Sequence, residues 1–93
     1  MSKSATAKVT IANRLGLHAR PAMMFVEAAS KFPADITVCR TDQNEPVDGK
    51  SIMQLMMLAA TQGTVLEITA SGERAQDAVD ELVALVKSSF SEE

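Results

Sequence analysis

One histidine and one cysteine, with no tyrosine or tryptophan, leave this chain few side chains able to do covalent chemistry. The histidine, His18, lies in Leu15-Gly-Leu-His-Ala-Arg-Pro-Ala22, where a loop passes into a helix. The first turn of a helix carries N–H groups with no intrahelical partner, and its dipole end is positive. An anion placed there is stabilised by oriented backbone donors. Pro21 falls within that turn, where its missing N–H costs no helix bond, so the amides of Ala19 and Arg20 remain for phosphoryl oxygens. Arg20 adds a permanent cation that can hold a phosphate by two parallel bonds. Gly16 lets the loop backbone come close. A neutral imidazole is a nucleophile near neutral pH, and a phosphoryl group on its ring nitrogen is labile. The residues therefore point to a site that takes a phosphoryl group and gives it up. A lone histidine can equally be a surface or capping residue, and the residues alone leave that open. There is no second histidine, no paired carboxylates and no Cys/His cluster, which speaks against a metal site and against stand-alone hydrolysis.

The elements that must position His18 follow from periodicity. Lys8 to Ala12 alternates, with Val9 and Ile11 on one face, as a half-buried strand does. Asn13-Arg-Leu-Gly16 breaks it. Ala22, Val26 and Ala29 recur at helical spacing from Ala19 onward, with Phe25 beside them, until Phe32-Pro33. Ile36 and Val38 begin a second strand, the tract Thr41 to Glu45 is polar, and a short strand around Val47 pairs back before the Asp48-Gly49 turn. Ser51 is placed to N-cap a short helix carrying Ile52, Leu55, Met56 and Leu58, which Gln62-Gly63 closes. In Val65 to Ala70, Leu66, Ile68 and Ala70 face one way and Glu67 and Thr69 the other. After Ser71-Gly72, Ala75, Ala78, Val79, Leu82, Val83, Val86 and Phe90 make one apolar helical stripe. The order β-α-β-β-α-β-α, with alternating strands, predicts an α+β open-faced sandwich whose sheet has one face covered by helices.

A chain of 93 residues that is 46% apolar supports one compact domain, residues 1–93, with 1–7 and 91–93 expected to be flexible. No apolar run is long enough to span a bilayer, and Met1 to Lys8 lacks the apolar region of a signal peptide. Cys39 has no internal disulfide partner and is expected to be a buried thiol. These features predict a cytoplasmic protein. The net charge of −3 and the absence of a basic stripe interleaved with aromatics argue against nucleic acid. Lys3, Lys8, Arg14, Arg20 and Lys31 face only Glu27 up to residue 31, so His18 lies in the basic part of the chain.

Gly16-Leu-His-Ala-Arg-Pro-Ala22 resembles the active-site signature of the histidine-containing phosphocarrier (HPr) family of the phosphoenolpyruvate-dependent phosphotransferase system. Gly49-Lys-Ser-Ile-Met-Gln-Leu-Met-Met-Leu-Ala-Ala60 resembles the family's regulatory-serine segment, and the Glu67-Ile-Thr-Ala-Ser-Gly72 strand is in register with both. The resemblance implies a βαββαβα sandwich, a four-stranded antiparallel sheet with three helices on one face. It implies that enzyme I phosphorylates His18 on Nδ1 and that the group passes to IIA domains of transporters or regulators. Arg20 would stand beside the phosphohistidine. Ser51 would be the serine that an HPr kinase/phosphorylase modifies in many relatives. No cofactor and no metal is implied, and the protein would be a monomeric phosphotransfer intermediate rather than an enzyme.

Around these positions, Leu17, Met23, Ile52, Met53 and Met56 are expected to form an exposed apolar docking patch, with Gln54 and Lys50 at its edge and Arg14 and Arg20 completing a basic rim. Leu55, Leu58 and Met57 are expected in the core. Three positions depart from the family pattern: Leu15 where several relatives have Asn or Ser, Gln54 where many have glycine, and Glu27 where some have a basic residue. These blur the choice between a sugar-transport and a nitrogen-type regulatory phosphocarrier. A ferredoxin-like small-molecule-binding domain shares the βαββαβ order but leaves the His-Ala-Arg-Pro helix start unexplained.

Overall fold

Strand alternation and helical stripes produce seven main elements in the computed structural model, which describes residues 3–91. They are β1 (Ser4–Thr10), α1 (Ala19–Ala29), β2 (Asp35–Arg40), β3 (Val47–Asp48), α2 (Ile52–Met57), β4 (Val65–Ser71) and α3 (Ala75–Lys87). The sheet order is β1-β4-β2-β3 and every neighbouring pair is antiparallel. β4 is therefore central, and β1 and β2 run parallel to each other on either side of it.

The register explains the two faces. Ala5 and Ile36 flank Ala70, and Ala7 and Val38 flank Ile68; these side chains point under the helices. Ile36, Val38, Leu66, Ile68 and Ala70 are all buried, together with Phe25 of α1 and Val79, Leu82 and Val86 of α3. On the opposite face the same register lines up polar residues. Thr6 and Thr37 flank Thr69, with the Thr6 and Thr69 hydroxyls 3.2 Å apart, and Lys8 and Cys39 flank Glu67. The sheet is thus an open-faced sandwich with α3 lying over β1 and β4, and α1 packed between α2 and α3.

Several expectations needed correction. β1 begins at Ser4, not Lys8, because Ser4 to Ala7 pair with Ser71 to Ile68 of β4; the small residues carry no strand signal of their own, and the partner supplies it. Residues 4–7 are thus part of β1, and Ser91 lies in a short turn, Ser89–Ser91; residues 1, 2, 92 and 93 lie outside the described residues. Cys39 is half-buried rather than buried, because Ile36 and Val38 occupy the inward parity of β2. α2 ends at Met57, well before Gln62-Gly63, and Ala59 adopts a left-handed φ of 51°. The α3 stripe ends with Val86; Phe90 is buried through the left-handed turn instead of through a longer helix.

Leu82 is fully buried in α3 against the sheet. Leu82→Ala is expected to lower unfolding stability by about 2–5 kcal/mol, read as a lower urea midpoint with an unchanged m-value.

Candidate functional site

The backbone leading to His18 is held by a second segment, residues 60–64. Ile11 N donates to Thr64 O at 2.9 Å and Gly63 N to Ile11 O at 2.8 Å. Gln62 Nε2 donates to Ala12 O at 2.9 Å. Asn13 is fully buried, and its Nδ2 donates to Gly16 O at 2.7 Å while Gly16 N donates to Asn13 O at 3.2 Å. These two bonds close the turn from both sides. Gly16 has φ +72°, and a Cβ there would stand 2.4 Å from Ala60 O and 2.8 Å from Thr61 Cα. Only glycine fits, for conformation and for space together. Leu17 N then donates to Ala60 O at 2.8 Å, and the Leu17 side chain is 5% exposed.

His18 follows as the N-cap of α1, with extended φ −91° and ψ −168°. Its backbone is fixed on both sides, by His18 N to Gly16 O at 3.1 Å and by Ala22 N to His18 O at 2.9 Å. The imidazole makes no capping bond to its own helix, and the residue is half-buried. Ala19 and Arg20 are exposed, whereas Pro21 and Ala22 pack inward. Since Ala22 is the first residue to donate into the helix from His18, the Ala19 and Arg20 amides belong to the unpaired first turn. No acidic residue occupies that turn. A half-open ring, two backbone donors, one arginine and a positive dipole end therefore lie together on one helical turn, an arrangement suited to a tetrahedral oxyanion.

Ser51 is the N-cap of α2, and its Oγ accepts from Gln54 N at 3.2 Å. α2 packs on α1. Its far end leads into Leu58–Ala60, the segment that holds Leu17, so Ser51 and the His18 loop lie at opposite ends of a helix about 9 Å long. Arg40 secures that far end. Its Nη1 donates to Leu58 O at 2.9 Å and Ala59 O at 3.3 Å, while Nε and Nη2 grip the Asp42 carboxylate at 3.0 and 2.8 Å. The hydrogen bond from Arg40 holds the Asp42 carboxyl below the usual carboxylate range.

The exposed apolar surface is drawn differently from the expectation. Leu17 is an anchor beneath the loop, and Leu15, 65% exposed, is the leucine that faces solvent. Met23, Ile52, Met53 and Met56 are exposed as expected, and Met57 joins them instead of entering the core. α2 has room for few inward positions, and Leu55 and Leu58 take them. Lys50 is half-buried with Nζ donating to Phe32 O at 2.8 Å, past the C-terminal end of α1 and away from His18. It does not belong to the rim. Gln54 is exposed, but its Oε1 accepts from Asp48 N at 2.9 Å, which ties it to the start of α2. Arg14 is exposed on the His18 loop. Among the described residues no three His, Cys, Asp or Glu side chains converge to hold a metal ion, and no helix is long and apolar enough to cross a membrane. Sequence reasoning missed Asn13, Leu15 and Arg40. Asn13 carried a turn signal, but nothing local showed that its side chain is buried.

Fold and site together define a small open-faced sandwich that presents a histidine at a helix N-terminus beside an apolar helix face. The model of the family described as "PTS HPr component phosphorylation site" matches residues 5–88, and the chain belongs to this HPr phosphocarrier family of the phosphotransferase system. It is 48% identical over 85 residues to the phosphocarrier protein HPr of Pseudomonas putida, covering 91% of this chain and 93% of that one. It is 36% identical over 86 residues to the phosphocarrier protein NPr of Proteus mirabilis, covering 92% and 94%. The crystal structure of HPr-C-His from Thermoanaerobacter tengcongensis superposes with a TM-score of 0.89 at 43% identity, over 96% of this chain and 98% of that one. Membership in this family displaces the ferredoxin-like alternative.

Gly16→Ala is expected to destabilise the protein by about 1–3 kcal/mol, from left-handed strain and the clash with Ala60. Urea unfolding measures the loss, and amide NMR shifts concentrated at residues 13–18 and 58–61 would locate it.

Proposed function

We propose that His18 accepts a phosphoryl group from phosphorylated enzyme I and donates it to IIA domains of phosphotransferase-system transporters or regulators in the cytoplasm. The observation that carries this reading is the position of His18, half-buried at the N-terminus of α1, in a chain matched by the family model from residue 5 to 88. The Nδ1 lone pair attacks phosphorus, the P–N bond forms as the bond to the donor breaks, and the ring keeps its proton on Nε2. Donation reverses the step with the recipient as nucleophile. Phosphoryl transfer asks the protein chiefly for positioning and charge stabilisation. The Ala19 and Arg20 amides and the Arg20 guanidinium supply these, with the loop backbone already fixed by Asn13 and Ala60. The partner contributes the rest of each reaction, so this chain is a carrier and not an enzyme by itself. Leu15, Met23, Ile52, Met53 and Met56 form the face against which the donor and recipient dock, with Arg14 and Arg20 nearby.

Phosphoenolpyruvate plus the host's enzyme I is expected to place an acid-labile, base-stable phosphate on the wild-type protein and none on His18→Ala. Equal labelling of the two, or none on wild type, overturns the carrier reading.

Ser51 is the proposed regulatory site, modified by an ATP-dependent HPr kinase/phosphorylase. The helix start tolerates a phosphate there, since its dipole end is positive. Ser51 lies a helix-length from the His18 loop, so the added charge acts on docking across α2 and not on the imidazole. Ser51→Asp is expected to slow enzyme I-dependent labelling by about tenfold, the size of one like-charge contact at an interface, with the urea midpoint little changed. An unchanged rate refutes the docking mechanism.

A further inference from the structure

Methionine is ordinarily among the buried residues, yet none of the buried hydrophobic side chains in the described residues is a methionine. The chain has six. Met24 is half-buried, and Met23, Met53, Met56 and Met57 are exposed, Met53 and Met57 by 78% and 76%. The exposed four make up most of the large apolar surface, the others being Leu15 and Ile52. Met53, Met56 and Met57 stand at i, i+3 and i+4 on α2 and so share one helix face. Met23 lies on α1, five residues after His18 and on the helix against which α2 packs. Among the described residues, then, no methionine is fully buried, only Met24 packs against the core, and the other four are exposed on α1 and α2.

We infer that this cluster is a reversible oxidation site through which peroxides turn down phosphoryl transfer; the inference rests on the docking role proposed above for this face. A methionine sulfur attacks one peroxide oxygen, and the S–O bond forms as the O–O bond breaks. The proton on the transferred oxygen goes to the departing hydroxide, which leaves as water. Sulfur loses two electrons and the peroxide gains them. The product sulfoxide is polar and chiral. Docking an apolar partner surface onto it buries a dipole without a hydrogen bond. The buried core is built from Leu, Ile, Val, Phe and Ala, which peroxide does not oxidise, with half-buried Met24 packed against it, so the fold is expected to survive oxidation of the exposed methionines. Methionine sulfoxide reductases acting on both sulfoxide epimers, with a dithiol as reductant, restore the thioether. Cys39 is the other oxidisable group, and it lies on the open face of the sheet, away from the helices.

The test uses the full chain carrying Cys39→Ser, treated with hydrogen peroxide. Peptide mass spectrometry is expected to find oxygen first on Met53 and Met57, and on Met24 last. The thermal midpoint should stay within about 2 °C of the untreated protein. Labelling by phosphoenolpyruvate and enzyme I should fall about tenfold, the effect of one unsatisfied buried polar group, and recover after treatment with MsrA, MsrB and dithiothreitol. A Met23→Leu, Met53→Leu, Met56→Leu, Met57→Leu variant should keep its own pre-treatment rate after peroxide, whatever that rate is. The inference is overturned if these methionines resist oxidation, if the oxidised folded protein is labelled at the untreated rate, or if the four-leucine variant loses activity equally. Failure to label before any peroxide is added would instead refute the carrier reading, and this inference with it.

Discussion

The contact of Gly16 and Leu17 with Ala60 governs the arrangement of the site. The Leu17 amide reaches the Ala60 carbonyl, and Gly16 passes so close to it that no side chain could intervene. Through this contact the loop before α1 and the turn after α2 form one unit. The Asn13 side chain closes the loop from inside, and the paired bonds of Ile11 to Thr64 and Gly63 extend the join to the end of β1. His18 therefore stands at the end of a rigid approach, with the helix start aimed outward. The transfer role proposed for His18 needs this property, because an imidazole that serves a donor and a recipient must meet both in one geometry without being rebuilt each time.

A helix as short as α2 also needs tertiary support. Six residues are too few to form a stable helix by backbone bonds alone. Here Ser51 caps its start, the Gln54 side chain ties it to Asp48, Leu55 and Leu58 anchor it in the core, and Arg40 takes the carbonyls at its end. With both ends held, the outer face carries Ile52, Met53, Met56 and Met57 exposed. The residues that hold α2 in place and those proposed to meet partners are thus different residues. This separation also allows the proposed docking residues to be flexible methionines, which suit more than one partner surface.

The bulk of the fold rests on ordinary burial. One sheet face and two helical stripes meet in a core of aliphatic side chains and three phenylalanines, and the other face is a polar lattice of threonines with the Lys8–Glu67 pairing row. The arrangement leaves the edge of the helical layer, where α1 begins and α2 ends, as the place where apolar side chains remain exposed next to a histidine. The proposed function is concentrated at that edge because the histidine loop and the end of α2 meet there.

What the sequence by itself determined was whatever repeats with a regular period or has a local chemical signature. Strand parity placed Ile36, Val38, Leu66 and Ile68 inward; helical spacing placed Ala22, Ala29, Leu82 and Val86; Ser51 was legible as a cap; and His18, Arg20 and Pro21 were legible as a helix start. What only the tertiary structure decided lies in segments without a period. Leu15 and Leu17 are identical in type and flank the same glycine, yet one faces solvent and the other the core. Which does so depends on where residue 60 lies, not on their own neighbours. Arg40 and Lys50 likewise owe their roles to backbone carbonyls supplied by distant segments, and the first residues of β1 become a strand because β4 pairs with them. Local periodicity encodes which face of an element is apolar, but an irregular loop acquires an inside and an outside only when another part of the chain packs against it.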